Sequence, residues 1–325
     1  MIKKIVIIGA GQLGSRHLQG IAQSNFDISI EIVEPFESSR EVAEERYYQI
    51  ENRDKVKEIY FYDSIDKLSD KIDLVIIATG ANVRSKIIIE LLSKKDVLNI
   101  VLEKILFQTI EEYKVIEKLL NNTNTLCWVN HPRRMFPFYK SLKEELSEAK
   151  QISYNIQGGD WGIGCNGLHF IDHLAYLTNS KDLKIDNKFL DNKIYESKRK
   201  GFIEFNGSLI GRLDNNVFSL YASSEKSPIK LNIASDILTA NIDEAKGKII
   251  ISRKNNNWDE ESIEEKIVYF QSELSNILIE DILIKKKCYL PTYKEAMNLH
   301  VTFIKSLLDH MEKVTKKTHK LCPIT

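Results

Sequence analysis

The feature that most constrains this chain is a cluster of three glycines close to its start. Gly9-Ala-Gly11-Gln-Leu-Gly14 follows an Ile- and Val-rich segment at 2–9 and opens a helical pattern over 11–24. Strand, glycine turn and helix in that order form the fingerprint of a dinucleotide-binding βαβ unit. Gly9 permits the tight turn and Gly11 lets a pyrophosphate approach the backbone. Gly14 lets the helix pack closely on the sheet, so that its N-terminus faces the phosphates. Glu34 stands twenty residues beyond Gly14, at the end of the second predicted strand. An acid there accepts a ribose 2′-hydroxyl and repels a 2′-phosphate, so NAD is the expected cofactor. Arg40 is close enough in sequence to weaken that preference, which leaves NADP open.

The glycine motif opens a longer alternation. Residues 1–128 alternate short apolar runs with helical patterns, as βαβ units of a parallel sheet do. Further strands are predicted at 28–34, 58–62, 73–79, 98–103 and 125–129, with helices at 38–48, 83–94 and 109–121. After His131 the pattern changes. A helix at 137–149 precedes a strand at 151–157 and a series of alternating or β-branched segments between 201 and 252. Asn206-Gly207 reads as a hairpin turn between strands at 201–205 and 208–213. Helices at 273–286 and 292–314 close the chain. The expected architecture is an α/β Rossmann domain over 1–128, then an α+β domain with an open, mainly antiparallel sheet over 129–325.

Composition narrows the class without naming it. Apolar residues make up 43% and charged residues 28% of 325, and 46 basic residues balance 46 acidic ones. Disorder needs low hydrophobicity with a large net charge, and neither is present. A neutral chain also sets up no global field for nucleic acid or an anionic membrane, so neither is an expected partner. Cys127, Cys165, Cys288 and Cys322 are far apart, with no CxxC and no His at zinc spacing. No metal site is expected, and a reducing cytosol fits. The opening MIKKIVIIGAG only superficially resembles a signal peptide, because its apolar run is short and Arg16 and His17 follow it. No stretch reaches the ~18 to 20 apolar residues of a membrane helix, so the expected location is cytoplasmic.

Five segments carry a resemblance in one consistent order. They are GAGQLG, VIIATGANVRS at 75–85, LEKIL at 102–106, VNHPRRMFPFYKSLK at 129–143 and GLHFIDHLAYL at 167–177. Together they resemble the Gfo/Idh/MocA family of NAD(P)-dependent oxidoreductases, from Ile2 to about Ser180 and more weakly in the last helix. The resemblance implies a Rossmann domain followed by an open antiparallel sheet. It also implies oxidation or reduction of a hydroxyl or ketone on a sugar, cyclitol or nucleotide sugar. Lys104 matches the lysine of the family's Glu-Lys-Pro motif, just past a strand end at the carboxyl edge of the sheet. A lysine there binds or protonates the reacting oxygen. His169 matches the histidine of the Asp-x-x-x-His motif, which takes or returns the hydroxyl proton. Asp172 and His173 follow at i+3 and i+4, so Asp172 is expected to orient that imidazole or bind a substrate hydroxyl.

The chain also departs from the family pattern. Cys165, with Asn166 beside it, falls where the family has aspartate, and a thiol does not replace a carboxylate. Asp160 or Asn166 is the expected substitute. Ile105 replaces the proline after Lys104, and Gly80-Ala81 replaces a Pro-Asn pair.

The expected cofactor set is Gly9, Gly11, Gln12, Leu13, Gly14 and Glu34, with Thr79, Arg84, Glu103 and Lys104 at later strand ends. The expected substrate set adds Arg133 and Arg134, whose forks suit an anionic sugar, and Trp161, which can stack on a sugar face. Cys165, Asn166 and Asp172 belong to it too, with Tyr289 and Tyr293 as further candidates. The expected function is hydride transfer to or from a sugar-like small molecule, with surface-polysaccharide sugar metabolism as one setting, in a homo-oligomer (dimer or tetramer). Two alternatives stand beside it. One is a dinucleotide-binding sensor or scaffold without chemistry, which Cys165 favours. The other is NAD-assisted elimination or hydrolysis of a glycoside.

Overall fold

Strands as apolar as the early Ile/Val runs can satisfy their backbone only by pairing side by side beneath covering helices. In the computed structural model, which describes residues 2–325, they do so as one six-stranded parallel sheet. Its strands are β1 (Lys3–Ile8), β2 (Ile28–Val33), β3 (Val56–Tyr62), β4 (Leu74–Ile77), β5 (Asn99–Glu103) and β6 (Leu126–Asn130), in the order β3-β2-β1-β4-β5-β6. The connecting helices are α1 (Gln12–Ala22), α2 (Glu37–Tyr48), α3 (Ala81–Lys94) and α4 (Ile110–Asn121). β1 pairs in parallel with both β2 and β4, so the strand order reverses beside it. The weak apolar content of the third strand has a simple cause. β3 is an edge strand, and its residues are half-buried or exposed.

The second unit is built on α5 (Pro137–Glu145), β7 (Ile152–Gly159), α6 (Ile163–Thr178), β8 (Leu183–Leu190), β9 (Tyr195–Glu196), β10 (Ile203–Glu204), β11 (Gly207–Leu213), β12 (Asn216–Ser223), β13 (Ser227–Ser235), β14 (Leu238–Asp243), β15 (Lys248–Arg253) and β16 (Glu260–Glu264). Eight of these strands form one sheet, ordered β8-β11-β12-β7-β13-β14-β15-β16. All neighbours are antiparallel except β12 and β7, which run parallel. α6 packs against β7, β11 and β12, burying Leu168, Ile171 and Leu174.

Asn206-Gly207 does not make the expected hairpin. β10 pairs with β9 in a separate two-stranded ladder, and β11 pairs with β8 and β12. Gly207, at a φ of +93°, bends the chain into the sheet beside β8, and the Asn206 carbonyl accepts from Asp191 N at 2.9 Å. β8 itself was not legible, because half of LKIDNKFL is polar, including the central Asp186-Asn187-Lys188, and the strand is only partly buried.

The two units interleave in sequence. The first takes the chain up to Phe107, Glu111–Pro132 and Tyr269–Lys294; the second takes Gln108–Ile110, Arg133–Val268 and Glu295–Thr325. A single boundary at 128/129 therefore misses a return of the chain. The returning segment carries α7 (Gln271–Leu283), which packs on α1. A Cβ on Gly20 of α1 would lie 2.9 Å from both the Gln271 carbonyl oxygen and Ser275 Cβ, so only glycine admits this approach. α8 (Tyr293–Thr315) then runs into the second unit. Among the described residues no helix is long and apolar enough to cross a membrane.

Candidate functional site

Gly9 ends β1 at a φ of +90°, a region that side chains with a Cβ rarely adopt. A Cβ on Gly9 would lie 2.7 Å from Thr79 Cγ2, and one on Gly14 would lie 1.8 Å from the Gly9 carbonyl oxygen. Gly11 differs, because a Cβ there meets nothing within 4 Å. The loop is closed at Gly9 and Gly14 and open over Gly11. No side chain caps α1, and its first turn holds no acid. Its N-terminal amides and dipole are therefore left for an anion. Beside Gly9, Thr79 Oγ1 is buried with no hydrogen-bond partner among the described residues. An orphaned hydroxyl of that kind calls for a ligand or water.

Glu34, only 6% exposed, accepts from Ala10 N at 2.9 Å and Phe36 N at 3.1 Å. These bonds fix the carboxylate at the glycine loop and leave it lone pairs for a ribose hydroxyl. Arg40 Nη1 donates to the carbonyl oxygens of Glu34 at 2.7 Å and Pro35 at 2.9 Å, so it holds the loop. Arg46 escaped the sequence reading. Its Nη2 donates to Gln12 Oε1 at 2.7 Å and its Nη1 to Ser15 Oγ at 2.5 Å, setting a cation beside the first turn of α1. No spacing signals it, since it comes from the far end of α2. Leu13 is 38% exposed on the same turn.

At the end of β5 two expectations need correction. Arg84 is buried, and it donates to the carbonyl oxygens of Thr79, Ile105 and Leu106. It ties the loop after β4 to the segment after Lys104 rather than approaching a cofactor. Burial lowers its pKa to about 10. Glu103 is also enclosed, meeting His17 Nε2 at 2.9 Å and accepting from Asn130 Nδ2 at 2.6 Å. Burial alone would raise its pKa, but His17, Asn130 and Arg84 outweigh that and hold the carboxyl below its usual range. His17 Nδ1 lies 2.9 Å from Ser275 Oγ on α7. Glu103 is therefore the anchor of a buried network, and Lys104, partly exposed, is the residue beyond it. The Lys104–Ile105 peptide is cis although no proline is present. Tyr293, a substrate candidate, is buried and donates to the Tyr113 carbonyl at 2.8 Å.

In the second unit α6 starts at Gly162, and a carboxylate remote in sequence caps it. Glu204 on β10 accepts from Gly164 N at 2.8 Å and Cys165 N at 2.9 Å. Asp160 pairs with Lys198 at 2.9 Å, and Asn166 Nδ2 donates to the Trp161 carbonyl. Glu204, Cys165, Asn166, Arg199 and Asn206 line a cavity of about 400 Å³. Sequence distance hid Glu204, Arg199 and Asn206. Trp161 touches this cavity but is 6% exposed; its Nε1 donates to the Tyr221 carbonyl at 2.8 Å and its ring meets Phe170 edge-on. That geometry makes it a wall, not a stacking platform.

The expected roles of Arg133, Arg134 and Asp172 also change. Arg133 binds Glu244 through Nε at 2.8 Å and Nη2 at 2.6 Å, and Arg134 binds both oxygens of Asp172 at 2.9 and 2.7 Å. Each guanidinium already holds a carboxylate through its Nε and Nη2 groups, which the sequence pattern does not show. Asp172, 1% exposed, holds Arg134 through both carboxylate oxygens. His173 sits behind it, with Nδ1 2.9 Å from Tyr154 Oη. His169 is partly exposed on the same helix. Among the described residues no group of His, Cys, Asp and Glu could hold a metal ion.

Residues 3–131 match the family model described as an oxidoreductase family with an NAD-binding Rossmann fold. No curated protein matches the chain. Among solved structures it resembles the UDP-N-acetylglucosamine 3-dehydrogenase of Acidithiobacillus ferrooxidans, at 13% identity and a TM-score of 0.66 over 94% of this chain and 97% of that one. It also resembles scyllo-inositol dehydrogenase of Lactobacillus casei, solved with NAD(H) and scyllo-inositol, at 15% identity and a TM-score of 0.66 over 96% and 98%. A super-repressor mutant of Gal80p from Saccharomyces cerevisiae gives 14% identity and a TM-score of 0.69 over 98% and 97%. Identities this low speak for the shared fold alone.

Proposed function

From a chain whose residues 3–131 belong to the Gfo/Idh/MocA oxidoreductases, with their NAD-binding Rossmann fold, we propose an NAD-dependent enzyme that oxidises or reduces a hydroxyl or ketone carbon of a sugar, cyclitol or nucleotide sugar. One observation carries the reading. An uncapped helix N-terminus, an open Gly11 and the backbone-held carboxylate of Glu34 form one cradle. Such a cradle suits a pyrophosphate and a free ribose 2′-hydroxyl, and Glu34 disfavours the 2′-phosphate of NADP. NAD, when bound, supplies or accepts the hydride. Lys104 holds the reacting oxygen, and His169 takes or returns its proton. The cavity lined by Glu204, Asn166 and Asn206 brings hydrogen-bonding groups to a mainly apolar wall, as a sugar-like ligand requires. The sugar class rests on two similar folds whose names specify a nucleotide sugar and a cyclitol. A cytoplasmic homo-oligomer, dimer or tetramer, completes the reading.

The second reading is a dinucleotide-binding sensor, and the thiol at Cys165 favours it, as does the shared fold of a Gal80p repressor. Calorimetry with NAD tests what both readings share, and absence of binding ends both. A panel of sugars, cyclitols and nucleotide sugars, followed by NADH absorbance, then separates them. On any substrate found, Lys104→Ala and His169→Ala should each lower kcat at least about a hundredfold, the usual scale for a lost acid–base group. Unchanged turnover in both variants removes the catalytic assignment, and a silent panel with tight NAD binding favours the sensor.

A further inference from the structure

At the end of α6 opposite Glu204 lies a second cavity, of about 280 Å³. It lies wholly within the second unit, and the proposed reaction gives it no role. Arg134, Lys143, Asn179 and Lys181 bring hydrogen-bond donors to it, and Glu295 brings a carboxylate. Arg134 uses Nε and Nη2 on Asp172, leaving Nη1 without a hydrogen-bond partner among the described residues. The Lys143 ammonium lies 4.2 Å from the ring centre of Tyr176 and donates to Asn179 Oδ1 at 2.7 Å. Among the described residues it has no carboxylate within salt-bridge distance. The Arg134 guanidinium faces the same ring at 5.6 Å. Burial, and then the nearby charge of Arg134, lowers the Lys143 pKa, as expected of two cations held together without an intervening anion.

The charges favour an anionic ligand. Arg134 and Asp172 neutralise each other, and Lys143 with Lys181 outnumbers Glu295 by one. Arg134 keeps its Nη1–Nη2 edge, a second two-pronged face that can pair with the oxygens of a phosphate or a carboxylate. Arg134, Lys143 and the Asn179 amide approach from three separate chain segments, which suits an oxyanion with several acceptor oxygens. Ala175 and Leu299 give the cavity an apolar side, with room for a small organic group beyond the phosphate. We propose that this cavity binds inorganic phosphate or a small phosphate monoester.

The test is calorimetry on the full chain in a phosphate-free buffer, with sodium chloride holding ionic strength constant. The two probes are inorganic phosphate and glycerol 3-phosphate. Wild type should show saturable binding of at least one of them, with a Kd below about 20 mM. Tighter binding of the monoester assigns the apolar side to its organic group, and tighter binding of phosphate assigns the free ion. Lys143→Met should weaken binding at least about tenfold, the scale of one lost charge-assisted bond. Lys143→Arg should keep it within about threefold, which separates lost charge from disturbed folding. No saturable heat in wild type, or equal affinity in a Lys143→Met variant that melts like wild type, overturns the proposal.

Discussion

At the scale of single residues, the three glycines of the loop do different work, and one substitution tells them apart. Gly14→Ala drives a methyl group to 1.8 Å from the Gly9 carbonyl oxygen, so α1 must move off β1. A loss of about 3 kcal/mol or more is expected, seen as a lower denaturant midpoint without any cofactor present. Gly11→Ala meets open space in the same loop. It should unfold like wild type within about 0.5 kcal/mol, yet lose NAD affinity at least about tenfold by calorimetry, because its methyl occupies the path of the pyrophosphate. If both variants behave alike, the loop is packing and not a cradle. Glu34 carries two duties, since its carboxylate also accepts from Ala10 N and Phe36 N. Glu34→Gln keeps an acceptor but drops the charge, so the NAD/NADP affinity ratio should fall by about tenfold or more while the fold survives. An unchanged ratio would remove Glu34 as the selector. These residues were legible because their chemistry is local and their spacing is fixed by one βαβ turn. Glu204 and Arg46 were not. Each acts on a helix start that only tertiary folding brings near, and their sequence neighbours give no sign of it.

At the scale of elements, α6 shows how polar groups are kept inside the second unit. Its inward face packs His173 against Tyr139 at 3.9 Å between ring centres and against Tyr154. Close by, Arg133 and Tyr139 both bind Glu244. Burial, and then the charge of Arg133, pushes the His173 ring down to about 3. In the unfolded chain the same ring titrates near 6.5. Below that pH the unfolded state takes up a proton that the folded state refuses, so stability falls as pH drops from about 6.5 toward 3. Burial opposes the Glu244 carboxylate, but Arg133 and Tyr139 overcome it and hold its pKa below the usual range. Its stabilisation is therefore present above the unfolded carboxylate pKa and is lost as pH falls through the lower, folded one. Both groups weaken the fold in acid, but His173 acts first. Between pH 6.5 and 5 the loss should reach about 2 kcal/mol, at roughly 1.4 kcal/mol per pH unit. Urea melts at the two pH values should show this loss in wild type and a smaller one in His173→Gln. An equal loss in both would place the acid sensitivity elsewhere. Periodicity identified α6 as a helix but gave no hint of these partners. The sequence pattern marks Arg133 and Arg134 as a basic pair, whereas the fold gives each its own carboxylate, 111 and 38 residues away.

At the scale of the whole molecule, 46 basic residues against 46 acidic ones leave no net field, so any selection of ligands falls to local groups. The parallel sheet of the first unit was legible in the sequence alternation, but the extent of that unit was not. Its closing segment, Tyr269–Lys294, arrives after the whole second sheet and reads in sequence as one more amphipathic helix. Its necessity is physical. α7 packs on α1 at Gly20, and its Ser275 meets the buried His17 ring. The segment also reaches β6, where Val129 N donates to the Pro291 carbonyl at 3.0 Å. A fragment of residues 1–132 would expose that packed surface of α1 and leave Glu103 and His17 with an unfinished network, a combination that costs several kcal/mol against a margin of about 5 to 15. It should therefore melt without a cooperative transition and bind NAD poorly. Joining residues 269–294 to it through a flexible linker should restore a cooperative melt. Saturating NAD at a hundred times its Kd should then stabilise the joined fragment by about 2.7 kcal/mol. A cooperative, NAD-responsive melt of 1–132 alone would mean that α7 decorates the Rossmann unit instead of completing it.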